Sequence, residues 1–168
     1  MKKQLGLLAA LIVLVGVGYG AVHTVEGQTK ATAVAASLKA PTAIAPLTLT
    51  DVNGQTIAVN PNNKTVLHFM MSTCADCIGM EKSLTKFAHS PGVQIISLDV
   101  DPENDNLSTI QDFKKITGAT WNYVLLKNSA LINKYHVTEL DTVVVLYHNK
   151  VIYDGVSPSV STLKQVLV

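Results

Sequence analysis

The chain holds two cysteines, Cys74 and Cys77, with only Ala75 and Asp76 between them. At that spacing, on a helix, a thiolate on the first can attack a partner's disulfide and the second thiol can resolve the mixed disulfide. A loop this short removes little chain entropy, so the pair is poorly placed as a structural staple and well placed for switching. The same spacing is half of a zinc site, which needs two further ligands, and no second C-x-x-C follows. The chemistry indicated is thiol–disulfide exchange, with no metal and no cofactor expected.

Residues 65–71 are a dense run of strand formers and read as a buried central strand, broken by Ser72-Thr73. Helical spacing follows over 77–89, at Ile78, Leu84, Phe87 and Ala88, and Ser90-Pro91-Gly92 ends it. Cys74 therefore stands where strand passes into helix. Free backbone N–H groups and the helix dipole at that end favour a thiolate. Cys77 is one turn further in, as a sheltered resolving thiol should be.

The remaining elements build the frame. Residues 47–50 alternate apolar and polar, Asp51-Val52-Asn53-Gly54 makes a turn, and 55–59 return as the second arm of a hairpin. A strand is predicted over 93–100, a helix over 107–117 stopped by Gly118, an extended segment over 121–126, and a short helix over 129–135. Strands at 143–147 and 151–153 form an antiparallel hairpin, and a last helix over 159–167 has Ser159 as its N-cap. Strands alternating with helices, then a terminal hairpin and helix, give an α/β class with a mixed sheet between helices.

A chain of 168 residues, 48% hydrophobic and 15% charged, has room for one ordinary domain. Its formal net charge of +1, with no basic or acidic block, excludes a charge-steered partner such as nucleic acid. Met1-Lys2-Lys3-Gln4 and the apolar run over 5–22 read as a signal anchor or signal peptide covering 1–25. The run has the length of an anchor, while Gly18-Tyr19-Gly20 before Ala21 offers a cleavage site. Residues 26–46, rich in Ala, Thr and Ser, read as a spacer with a short helix over 31–39, and 47–168 as the folded domain. Export places the cysteine pair where disulfides persist.

The segment Thr65-Val66-Leu67-His68-Phe69-Met70-Met71-Ser72-Thr73-Cys74-Ala75-Asp76-Cys77 resembles the active-site strand and turn of thioredoxin-fold proteins. The hairpin Leu47-Thr48-Leu49-Thr50-Asp51-Val52-Asn53-Gly54 resembles the extra N-terminal element of the membrane-anchored TlpA/ResA branch. Tyr135-His136-Val137, residues 143–147 and Asn149-Lys150-Val151 resemble its second half. The resemblance implies a thioredoxin-like fold: a central mixed β-sheet flanked by helices, with an N-terminal β-hairpin. It implies a thiol–disulfide oxidoreductase acting on cysteines of exported proteins, with Cys74 attacking and Cys77 resolving. A membrane electron donor or acceptor, and an extracytoplasmic domain tethered to the cell membrane by its N-terminal segment, come with it. Three features depart from the pattern. Thr73 replaces the usual Trp before the first cysteine, and Asp76 puts a carboxylate beside Cys77, disfavouring a thiolate there. Asp141-Thr142 occupies the place of the cis-proline that grips substrate backbone, which makes Asp141 and Thr142 candidate substrate-binding residues. The missing proline is shared with SCO-like Cu(I) chaperones, the alternative reading, in which Cys74, Cys77 and a His or Met hold Cu(I). That family spaces its cysteines by three residues and carries His where this chain has Asp141, and both features point away from it.

His68 aligns with the strand position where thioredoxins carry a buried acid. It is read either as a hydrogen-bonded core histidine or as the group that moves protons to and from Cys77. Met70, Met71 and Met80 are soft donors by type and core residues by setting. His136 is expected at the surface, with an approach to the site from the loop before Asp141 as the alternative. His89 and His148 read as surface. Asp99-Val100-Asp101, ahead of Pro102-Glu103, reads as loop solvation and helix capping.

Overall fold

The computed structural model describes residues 46–168. The expected leader at 1–25, nearly all of the spacer and the helix at 31–39 lie outside the described residues. No helix among the described residues is long and apolar enough to cross a membrane.

The hairpin forms where its turn chemistry lies. β1 (Thr48–Thr50) and β2 (Thr56–Ala58) pair antiparallel as a separate two-stranded sheet. Asp51 Oδ1 accepts the N–H groups of Asn53 and Gln55 at 2.9 and 2.8 Å, and Gly54 takes φ 80°, a conformation that favours glycine. The turn is docked: Val52 N–H donates to the Tyr123 carbonyl at 2.8 Å, and Asn122 Nδ2 donates to Asp51 Oδ2 at 3.1 Å.

The main sheet contains β3 (Lys64–Met70), β4 (Val93–Asp99), β5 (Asn122–Leu125), β6 (Thr142–Tyr147) and β7 (Lys150–Val156), in the order β5-β4-β3-β6-β7. β3, β4 and β5 run parallel, β6 is antiparallel to β3, and β7 is antiparallel to β6. The helices are α1 (Ala75–Leu84), α2 (Leu107–Thr117), α3 (Ala130–Lys134) and α4 (Val160–Leu167), with a 3-10 turn, Thr85–Phe87, extending α1. α2 starts on a capping box between Asn106 and Thr109 and stops at Gly118, which takes φ 76°. Ser159 caps α4 as expected, its Oγ accepting the Thr162 N–H.

Side chains alternate across a strand, so β3 feeds two cores. Val66 and Met70 pack with Cys77, Met80 and Leu84 of α1, Ile110 and Phe113 of α2, and Leu163 and Leu167 of α4. Leu67 and Phe69 face the other way, with Ile57 and Val59 of the hairpin arm and Leu131, Ile132 and Tyr135 of the α3 segment. His68, between Val66 and Met70 in the alternation, is thereby aimed at α1.

α1 differs from its predicted form. It begins at Ala75, because Cys74 serves as its N-cap, and gives way to the 3-10 turn after Leu84. Its buried face is Cys77, Met80, Glu81 and Leu84, while Ile78 is half-buried. An apolar count finds Leu84 but passes over a glutamate that is fully buried.

Candidate active site

Cys74 has extended backbone at the head of α1, and its Sγ accepts the N–H of Cys77 at 3.2 Å. This is an N-cap made by sulfur. The same N–H and the positive end of the helix stabilise a thiolate on Cys74 once the pair is reduced. Cys74 and Cys77 are joined by a disulfide, with Cα atoms 5.3 Å apart. Cys74 is half-buried and Cys77 fully buried, so an incoming sulfur meets Cys74 first. Asp76 is exposed, and Thr73, in the place of the usual Trp, is exposed too.

The turn before Cys74 is held by Asp105. Ser72 donates from both its hydroxyl and its backbone N–H to the Asp105 carboxylate, the latter at 3.1 Å. Burial alone would raise the Asp105 pKa, but these bonds hold it below the usual carboxylate range. Asp99, expected in a solvated loop, is instead fully buried at the end of β4. Burial pushes its pKa up to about 7, against the pull of the Asp101 N–H and with the Asp105 carboxylate adding to the rise. Asp99 shares the face of β4 that carries Ile95 into the helix-side core.

Beneath Cys77 lies a polar network whose members are all buried except Ser157, which is exposed. His68 Nδ1–H donates to Glu81 Oε1 at 2.6 Å, and Nε2–H donates to Asp141 Oδ1 at 2.9 Å. Glu81 Oε1 also accepts from Ser97 Oγ at 2.6 Å, and Oε2 accepts from Tyr123 Oη at 2.5 Å. Ser97 Oγ in turn accepts from Trp121 Nε1 at 2.8 Å. Asp141 Oδ2 accepts from Ser157 Oγ at 2.5 Å. Cys77 Sγ, a ring nitrogen of His68 and a carboxylate oxygen of Asp141 all lie within 4.8 Å of one another. Burial by itself would lower the His68 pKa. The hydrogen bonds to Asp141 and Glu81, with their negative charge, overcome it and lift the value to about 9. Near neutrality His68 is an imidazolium between two carboxylates. Burial beside Glu81 likewise raises the Tyr123 hydroxyl, which stays protonated as a donor.

A pH prediction follows from the sign of the His68 shift. The folded pKa of about 9 exceeds the ordinary 6.5, so the folded state binds the extra proton between those values. The resulting stability is complete below pH 6.5 and is lost as pH rises through 9, a change on the order of 3 kcal/mol. Urea unfolding of the oxidised protein is expected to show its midpoint falling over that window. A His68→Gln variant should lose most of that fall, keeping only the smaller slope around pH 7 that Asp99 contributes, and an equal slope in both would show that His68 is not the group responsible.

The sequence candidates sort clearly. His68, Cys77 and Asp141 come together, with Cys74 above them. Asp141 and Thr142 are both buried: the Asp141 N–H donates to the Phe69 carbonyl, and Thr142 Oγ1 donates to the Glu139 carbonyl at 2.6 Å. His136, His89 and His148 are exposed. Met70 and Met80 lie in the core against Cys77, and Met71 is half-buried. Glu81, Ser97, Trp121, Tyr123 and Ser157 were not anticipated. A signal for Glu81 exists, since it follows Cys77 by four residues and therefore shares its helix face.

No protein-family model matches the chain. The chain is 29% identical over 117 residues to sporulation thiol-disulfide oxidoreductase A of Bacillus subtilis, covering 66% of this chain and 69% of that one. It is 27% identical over 118 residues to mercury resistance operon ORF3 of Streptomyces lividans, of whose length it spans 62%. Among solved structures, StoA from Bacillus subtilis superposes with a TM-score of 0.59 at 24% identity, over 72% of this chain and 95% of that one. A secreted disulfide oxidoreductase of Mycobacterium tuberculosis gives 0.61 at 15% identity, over 73% and 94%. The parallel β3–β4–β5 core, the antiparallel β6–β7 hairpin and the cysteine pair at the head of α1 agree with these likenesses: the chain has a thioredoxin-like fold and is similar to thiol–disulfide oxidoreductases.

Proposed function

We propose that the protein exchanges disulfides with cysteines of exported proteins, with Cys74 as the attacking thiol and Cys77 as the resolving thiol. The observation that supports these roles is their unequal exposure at one helix end: Cys74 half-buried, Cys77 enclosed above an ionisable cluster. His68 and Asp141 form the ionisable group beside which Cys77 loses and regains its proton. Asp141 and Thr142 fix the corner before β6, and the exposed Leu140 beside them meets the substrate chain. The apolar run at 5–22 tethers the domain to the membrane on its extracytoplasmic side, where a membrane partner supplies or removes electrons. Cu(I) chaperoning would draw on the same sulfurs with His68 or a methionine. Both His68 nitrogens are already bonded to carboxylates, and Met70 and Met80 are packed in the core, so exchange is the better reading.

The test is a redox titration of the full chain in glutathione and dithiothreitol buffers, counting free thiols by alkylation and mass, with and without one equivalent of Cu(I). A reversible two-electron couple with weak Cu(I) retention is expected, and its midpoint gives the direction of exchange. Tight one-to-one Cu(I) binding that protects both thiols would overturn the reading.

A further inference from the structure

Resting on the exchange reading, we propose that Asp141 accepts the proton of the Cys77 thiol and passes it to solvent through the Ser157 hydroxyl, with His68 as the cation that holds Asp141 in place. Four observations carry this. Asp141, not Glu81, forms the 4.8 Å group with Cys77 and His68. His68 donates from both ring nitrogens to carboxylates and so keeps no lone pair for a thiol proton. Glu81 receives three donors, from His68, Ser97 and Tyr123, all of them buried. Asp141 alone of the two carboxylates has an outward partner: its Oδ2 receives the hydroxyl of Ser157, which is exposed.

The backbone is bent to make that contact. Asp141 and Ser157 both take left-handed φ values, 62° and 46°, which non-glycine residues rarely adopt. Ser157 N–H donates to the Asp141 carbonyl at 2.9 Å, so main chain and side chain tie the two residues together. The titratable groups around the path are Cys77 and Glu81 on α1, His68 on β3, Tyr123 on β5 and Asp141 itself, while Asp76, Glu139 and Asp154 are exposed.

A client sulfur R is held as Cys74–S–S–R. Cys77 attacks the Cys74 sulfur, the Cys74–Cys77 bond forms, the Cys74–SR bond breaks, and R leaves as a thiolate with the electron pair. The cysteine pair is oxidised by two electrons and the client sulfur is reduced. The Cys77 proton goes to the Asp141 carboxylate and then, by exchange at the Ser157 hydroxyl, to water.

Reduced full-length protein mixed with 5,5′-dithiobis(2-nitrobenzoate) separates this step from the first attack. One thionitrobenzoate is released when Cys74 attacks, and a second when Cys77 resolves. Asp141→Asn is expected to slow the second release about 10²-fold near neutrality, with the rate then rising tenfold per pH unit. Ser157→Ala should slow it about fivefold, and Ser157→Thr should restore it. A general loss of structure would not be rescued by threonine. Second-release rates within twofold of wild type for Asp141→Asn and Ser157→Ala, over about pH 6 to 9, would overturn the proposal. If Asp141→Asn does not fold, equal rates for Ser157→Ala and Ser157→Thr overturn it alone. Wild-type protein that releases no second thionitrobenzoate would sink the exchange reading itself.

Discussion

Replacing Cys74 with serine is expected to abolish disulfide exchange, lowering the rate by about 10³-fold or more. An alcohol stays protonated where a thiol beside a helix N-terminus ionises, and an alkoxide does not exchange with disulfides. Cys77→Ser should behave differently. Cys74 is the half-buried sulfur and still attacks, so one thionitrobenzoate leaves at about the wild-type rate and the protein stalls as a mixed disulfide. Stopped-flow release and intact mass together read both outcomes. A Cys74→Ser chain that still forms the mixed disulfide, beside a Cys77→Ser chain that does not, would reverse the two roles.

The second large effect is on stability. Glu81→Ala removes one buried carboxylate and strands three donors at once: the His68 imidazolium, the Ser97 hydroxyl and the Tyr123 hydroxyl. Truncating one partner of a buried, hydrogen-bonded charge network costs about 3–5 kcal/mol, because the remaining groups keep their desolvation penalty. Urea unfolding of the oxidised protein should register most of that range. Glu81→Gln preserves shape and part of the acceptor capacity and should lose clearly less. A loss below about 1 kcal/mol for Glu81→Ala would show that the network is relaxed by rearrangement.

The frame was legible because its signals are local. Gly118 ends α2 where it was expected, Ser159 caps α4, and Asp51 with Gly54 makes the first turn; each acts through its own backbone. The geometry of the cysteine pair was legible for a similar reason, since two cysteines three apart at a strand–helix junction specify their own placement. The cluster below was half-visible. His68 could be found because an imidazole in a run of strand formers is out of place. Its partners come from α1, from the start of β6 and from the end of β7, up to 89 residues away in the case of Ser157, and no local pattern links them. Glu81 was hidden by its charge, which suggests solvent until three donors are known to converge on it. Asp99 was misplaced on the same ground: an acid in an acidic, proline-bearing stretch looks exposed, yet it closes a central strand.

The hairpin at the start of the domain acts beyond its own two strands. Its turn donates to the Tyr123 carbonyl on β5, the strand at one border of the main sheet. An unpaired border strand is a template on which a second chain can add, and such addition is the first step of aggregation. By filling an acceptor there, the turn makes that border a poor template. At the other border β7 carries exposed Val151, Ile152 and Val156, but the β6–β7 register breaks between Val145 and Leu146, and exposed Lys150 and Asp154 put charge along it. Solubility at the first border thus depends on one docked turn, and removing residues 47–59 would open it while leaving every sulfur of the exchange centre in place.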